Sequence, residues 1–153
     1  MISEIFRILL AEDDNDDSLF FKEALEELQL DTELKIIHDG EKLMELLNDD
    51  ARDLPHVVFL DLNMPRKNGF ECLSEIRSNP RLQHLPVIIV STSFEQEIVD
   101  GLYRDGAHYY IRKPADFAQI RKVVYQSIRL VSDGTGEQPP QDQFVVLIDA
   151  NTE

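Results

Sequence analysis

Five short apolar runs, each followed by a stretch with helical spacing, constrain this chain more than any other feature. RILLA (residues 7–11), LKIIH (34–38), VVFL (57–60), VIIV (87–90) and YYIR (109–112) all have strand length. Between and after them, apolar residues recur at helical intervals. Phe21, Leu25 and Leu28 mark a first helix over 15–28, and Leu43, Met44, Leu46 and Leu47 a short second over 41–48. Phe70, Leu73 and Ile76 mark a third, which Asn79-Pro80 stops because a proline disfavours helix in the residue before it. Residues 95–104, closed by Gly106, make a fourth, and Phe117, Ile120, Val124, Ile128 and Val131 share one face of a fifth. Strands with little polar alternation belong in a parallel sheet covered on both sides. The order predicts an α/β fold, a doubly wound five-stranded parallel sheet with helices on both faces. At 153 residues, one domain is expected.

Open sheets of this kind gather ligands outside the carboxyl ends of their strands, so the residue after each run matters most. Glu12 and Asp13 follow the first strand and Asp61 the third. The fourth ends at Ser91, and Lys113-Pro114 follows the fifth. One Asp before MPRKNG is ordinary turn punctuation. Three carboxylates, a hydroxyl and an ammonium converging on one edge form a candidate site. The second strand adds only His38-Asp39-Gly40, which reads as a turn.

Three carboxylates in one cleft repel one another and raise at least one pKa. A hard divalent cation resolves that conflict, and Mg²⁺ takes carboxylate and carbonyl oxygens in sites that also hold phosphate. Mn²⁺ suits the same donors. With a cation present Asp61 can act as a nucleophile, since carboxylates form aspartyl phosphates. Lys113 then pairs with a phosphoryl oxygen as a point charge, or is a solvated loop lysine. Ser91 donates to another oxygen, or bonds locally with Thr92 and Ser93. Asp14, Asp16 and Asp17 stand at the start of the first helix, where cap and dipole roles suffice.

RILLAEDDNDD, VVFLDLNMPRKNG, PVIIVSTS and YYIRKP together resemble the motif blocks of the response-regulator receiver domains of two-component signalling, over about residues 6–131. The resemblance implies a flavodoxin-like sheet of order 2-1-3-4-5. It implies that Asp61 is the phosphoacceptor, Asp13 a direct Mg²⁺ ligand, Glu12 the second acid, and Asn63 the donor of a backbone carbonyl to the metal. Ser91 takes the switch hydroxyl position and Lys113 the conserved-type lysine, in a Lys113–Pro114 bond that is typically cis in the family. Tyr110 matches the aromatic that swings inward when the hydroxyl is drawn to the phosphoryl group. Asn63, Thr92 and Ser93 fill positions that tune hydrolysis, with Thr92 expected to narrow access for water.

By the same resemblance, the partners are a histidine kinase or a histidine phosphotransfer protein. A downstream protein would meet the face made by the fourth helix, fifth strand and fifth helix. The chain would be no enzyme beyond its own phosphorylation and slow autodephosphorylation. Passing the phosphoryl group onward as a relay, or serving as an unphosphorylated docking module, are the alternatives. Among rivals, a haloacid-dehalogenase-type phosphatase needs a second Asp where Asn63 stands, and a flavodoxin needs a phosphate loop where Glu12 and Asp13 stand.

Thirty acidic residues against fifteen basic give a net charge of −15. Such a field repels phosphate backbones and argues against direct DNA binding. No apolar run reaches the ~18 residues of a membrane span. The start, MISEIFRILLAEDD, lacks a secretory pattern, and Cys72 is the single cysteine; both favour a cytoplasmic location. Cys72 reads as packing. His38, His56, His84 and His108 lack the spacing of a zinc helix and read as structural or exposed. Residues 1–131 form the expected receiver domain. SDGTGEQPPQDQ (132–143) reads as a polar linker, and 144–153 as an apolar tail. Phe144 to Ile148 is β-prone. Self-association, including a homodimer, or a partner contact is favoured for it over packing on its own domain.

Overall fold

The computed structural model describes residues 5–93, 95–114 and 116–146. Strands β1 (Phe6–Ala11), β2 (Thr32–Ile37), β3 (Val57–Asp61), β4 (Val87–Ser91) and β5 (Tyr109–Arg112) alternate with helices α1 (Asn15–Glu27), α2 (Gly40–Leu47), α3 (Gly69–Ser78), α4 (Gln96–Arg104) and α5 (Phe117–Asp133). All strand pairs are parallel, in the order β2-β1-β3-β4-β5. The doubly wound reading therefore holds. β2 begins at Thr32, two residues before the apolar run, because Phe6 pairs with Thr32 across the ladder.

Successive side chains of a strand point to opposite faces, which divides the core in two. Ile8, Leu10, Val57, Phe59, Ile88 and Ile111 pack with Phe21, Ala24 and Leu25 of α1 and Val123, Val124 and Ile128 of α5. Leu9, Ala11, Val58, Leu60 and Ile89 face the other way, onto Leu43, Met44 and Leu47 of α2, Leu73 and Ile76 of α3, and Leu102 of α4. Every residue of β3 is buried, so its apolar side chains are worth roughly 1.5–3 kcal/mol each against exposure. Buried Cys72 belongs to the second layer, and burial pushes its thiol up to about 12, which keeps it an inert packing group.

Side-chain caps set the helix starts. Asp14 accepts from Asp17 N at α1, Asp39 from Lys42 N at α2, and Asp116 from Gln119 N at α5. Asn68 and Glu71 form a reciprocal capping box at α3. Gly106, at φ +98°, turns the chain from α4 into β5, and a Cβ there would lie 2.9 Å from Arg77 Nε.

Beyond α5 the chain returns over the sheet edge. Tyr110 N–H donates to the Phe144 carbonyl (3.0 Å) and Val146 N–H to the Tyr110 carbonyl (2.9 Å), a parallel bridge centred on Val145. Phe144 is buried among residues of the α4 layer. For residues 144–146 the favoured expectation of a contact outside the domain thus gives way to packing on the same chain. The physical reason is the open edge of β5, which offers unpaired backbone groups to any extended apolar segment within reach. Leu147 and Ile148, also assigned to that tail, lie outside the described residues.

Candidate functional site

Sheet register assembles the site. Ala11 pairs with Leu60, which sets Glu12 beside Asp61. Asp61 pairs with Val90 and Ser91 with Arg112, so Ser91 and Lys113 line up on the next two strands. The backbone locks that edge where Lys113 N–H donates to the Ser91 carbonyl (2.8 Å). Gly69 lets α3 start against the site. A Cβ there would lie 2.4 Å from the Asp61 carbonyl oxygen, and its N–H donates to the Leu62 carbonyl (2.9 Å).

Carboxylate oxygens of Glu12, Asp13 and Asp61 lie within 4.8 Å of one another. Glu12 and Asp61 are buried while Asp13 is exposed at the mouth. The Lys113 ammonium reaches Glu12 Oε1 at 2.8 Å, Asp17 Oδ2 at 2.9 Å and Asp61 Oδ2 at 3.6 Å. Three carboxyl groups therefore meet one ammonium, and Asp13 adds a fourth acid beside two of them. Burial, then the hydrogen bond shared with Asp61, pushes the Glu12 carboxyl up to about 8, against the pull of Lys113. For Lys113 burial acts to lower the pKa, but hydrogen bonds to Glu12 and Asp17 and the charge of Asp61 outweigh it and hold the ammonium above its ordinary range. An all-oxygen donor set with excess negative charge fits a hard divalent cation such as Mg²⁺ or Mn²⁺.

The other expected residues fall around this centre. Asn63, exposed, donates its N–H toward Asp61 Oδ1 (3.4 Å). Ser91 is buried, and its Oγ accepts from Ser93 N–H (3.1 Å). Thr92 is exposed beside it. The Ser93 hydroxyl is engaged at the start of α4, accepting from Glu95 N–H (3.2 Å). The Tyr110 ring is buried, and its hydroxyl donates to the Ser93 carbonyl (2.8 Å), so it occupies the inward position.

Two features differ from expectation. No peptide bond among the described residues is cis, and Lys113–Pro114 is trans, the form favoured by about 0.5–1 kcal/mol for X–Pro. Asp17, read only as a helix-start acid, is also a partner of Lys113. Nothing local signals that role, because 96 residues separate the pair and only the packing of α1 beside β5 joins them.

A doubly wound sheet with an acid-lined, cation-compatible cleft at its switch point defines the class. The chain matches the response regulator receiver domain over residues 8–125, and it belongs to that family of two-component signal transduction proteins. It is 35% identical over 121 residues to response regulator Rcp1 of Synechocystis, covering 76% of this chain and 82% of the relative. The probable methanogenesis regulatory protein FilR2 of Methanothrix harundinacea is 31% identical over 122 residues, 78% of this chain and 79% of the relative. Among solved structures, the Mn²⁺-bound form of Rcp1 superposes with TM-score 0.74 at 33% identity, covering 88% of this chain and 99% of that one. The phosphorylated cyanobacterial phytochrome response regulator RcpA gives TM-score 0.79 at 31% identity, covering 86% and 98%. No described helix is long and apolar enough to cross a membrane.

Proposed function

We propose that Asp61 accepts a phosphoryl group from the phosphohistidine of a histidine kinase or from a small acyl phosphate, and that the resulting state switches protein contacts. The observation that carries this reading is a buried strand-end carboxylate with Lys113 3.6 Å away and two further acids within 4.8 Å. Glu12, Asp13, Asp61 and the Asn63 carbonyl would hold Mg²⁺ or Mn²⁺. When bound, the cation supplies positive charge against the acids and the incoming phosphoryl oxygens.

An Asp61 oxygen attacks phosphorus in line as the bond to the donor nitrogen or oxygen breaks, and the electron pair leaves with the donor. Lys113 exchanges part of its contact with Glu12 and Asp17 for a phosphoryl oxygen. Ser91 already accepts from Ser93 N–H, and a hydroxyl that accepts can still donate, so its proton serves a second phosphoryl oxygen. Asn63 and Thr92 stand at the mouth, where water must approach, and set the lifetime of the acyl phosphate. Ser93, bonded toward α4, acts on that lifetime through the loop rather than through its hydroxyl. Residues 1–131 constitute the receiver, and 132–143 and 144–153 its appended segments. A cytoplasmic setting, without direct DNA contact, is part of the same reading.

The test is incubation with Mg²⁺ and acetyl phosphate, read by intact mass. A single Mg²⁺-dependent phosphoryl adduct, absent in Asp61→Asn, is expected. An adduct that persists in Asp61→Asn would displace the acceptor assignment, and no adduct with the histidine kinase present would remove the chemistry altogether.

A further inference from the structure

The face made by α4 and β5 carries an occupant. Residues 136–146 run across it and are held at successive points. The Gly136 carbonyl accepts from His108 Nε2 (2.9 Å). The Gln138 side-chain amide donates to the carbonyls of Tyr103 (2.6 Å) and Ala107 (2.8 Å). The Pro139 carbonyl accepts from the Tyr103 hydroxyl (2.7 Å). Phe144, 1% exposed, meets Tyr103 edge to face at 5.2 Å and lies tilted against Tyr110 at 6.3 Å. The backbone bridge to Tyr110 completes the seat.

Tyr110 belongs to both this seat and the acid cleft. Its hydroxyl bonds to the Ser93 carbonyl, the Ser93 N–H bonds to Ser91 Oγ, and Ser91 ends the strand beside Asp61. Its ring packs on Phe144, and its N–H and carbonyl bind the segment directly. An outward rotation of the ring would give up the Phe144 contact and open a void beside a buried aromatic, which is costly in a packed core. Docking of the segment therefore favours the inward ring, and whatever holds the ring inward favours docking.

We propose that residues 136–146 are a built-in ligand of the α4–β5 face, docked more tightly when Asp61 is phosphorylated. The segment is displaced when that face takes an external partner. The inference rests on the phosphoacceptor reading of Asp61. Linkage makes the effect reciprocal: a segment that docks better on the phosphorylated chain also favours the phosphorylated state by the same factor. A partner using this face must then outcompete an extended, aromatic-anchored segment.

Exchange of the Val146 N–H, followed by NMR on the full chain with and without beryllofluoride and Mg²⁺, tests this. Fluorine NMR reports independently whether beryllofluoride is bound. The expected result is about a fivefold gain in Val146 protection, at the low end of allosteric couplings. Phe144→Ala should weaken beryllofluoride binding by a similar factor, and Phe144→Leu should restore most of it. A bound fluorine signal with unchanged Val146 protection overturns the coupling alone. No bound signal overturns the phosphoacceptor reading, and the coupling with it. Protection that rises with protein concentration would overturn the assignment differently, by making a second copy's segment the occupant. The exchange arm uses the natural chain, so it stands even if Phe144→Ala fails to fold.

Discussion

At the amino ends of the strands, arginines are spent on backbone carbonyls. Arg77 donates to the carbonyls of Gly106 (2.8 Å), Gln83 (3.2 Å) and Leu85 (2.8 Å) and reaches His108 Nδ1 (3.0 Å). Arg81 ties the carbonyls of Leu47 (2.6 Å), Asp49 (3.4 Å) and Arg52 (3.0 Å), and Arg7 donates to that of Leu54 (3.1 Å). At the carboxyl ends the same sheet leaves Glu12, Asp17 and Asp61 around the ammonium of Lys113, with Asp13 beside Glu12 and Asp61. One end uses charge to finish the fold. The other holds charge unbalanced, which a cation or a phosphoryl group can exploit. The candidate site is placed where like charge is crowded, and stability suffers there.

Substitutions at the two ends should separate stability from chemistry. Arg77→Met leaves the part-buried carbonyls of Gly106 and Leu85 without their donor and is expected to cost about 2 kcal/mol in urea unfolding, with the phosphoryl adduct still forming. Loss of the adduct in a folded Arg77→Met chain would break the division. Asp61→Asn should do the reverse, abolishing the adduct yet stabilising the metal-free chain by about 1 kcal/mol through relief of repulsion. A destabilised Asp61→Asn would mean that Lys113 already balances the cleft.

Two pH effects sharpen the contrast. The Glu12 carboxyl, raised from 4.5 to about 8, keeps a proton in the folded state that the unfolded chain releases. Its contribution to metal-free stability is full below the unfolded value and is lost as pH rises through the folded one. Cation binding requires the carboxylate, so Mg²⁺ affinity measured by calorimetry should climb from pH 6 to pH 8, by at most about tenfold per unit. Glu12→Gln should flatten that slope.

The smaller effect lies at His108, where burial, and then the charge of Arg77, hold the pKa below the ordinary 6.5 against the hydrogen bond to Gly136. Its Nδ1 faces Arg77 Nη2 and the Val87 N–H (3.3 Å), so the neutral ring suits the fold. The associated stability is present above about 6.5 and is lost as pH falls below it. Thermal unfolding at pH 7.5 and 5.5 should show that loss, reduced in His108→Gln.

Much of this was legible in the residues themselves. Apolar runs of strand length with helical spacing between them can satisfy their burial in few ways, and an alternating order leaves a parallel sheet. Chain connectivity then puts the residue after every strand on one edge, so the sequence alone marks Glu12, Asp13, Asp61, Ser91 and Lys113 as neighbours. Local chemistry also located the caps, as at Asp14. Contacts between remote residues required the folded chain. Asp17 meets Lys113 only because α1 packs beside the end of β5. The trans Lys113–Pro114 bond follows the local preference that the family resemblance had overridden. Phe144 could have gone to a partner, a second copy or its own domain, since an apolar, β-prone segment fits any open edge. The reach of residues 134–143 and the aromatic seat of Tyr103 and Tyr110 decided it, and neither is a property of the segment alone. Patterns within an element determine what that element must bury; only the tertiary structure determines what it is buried against.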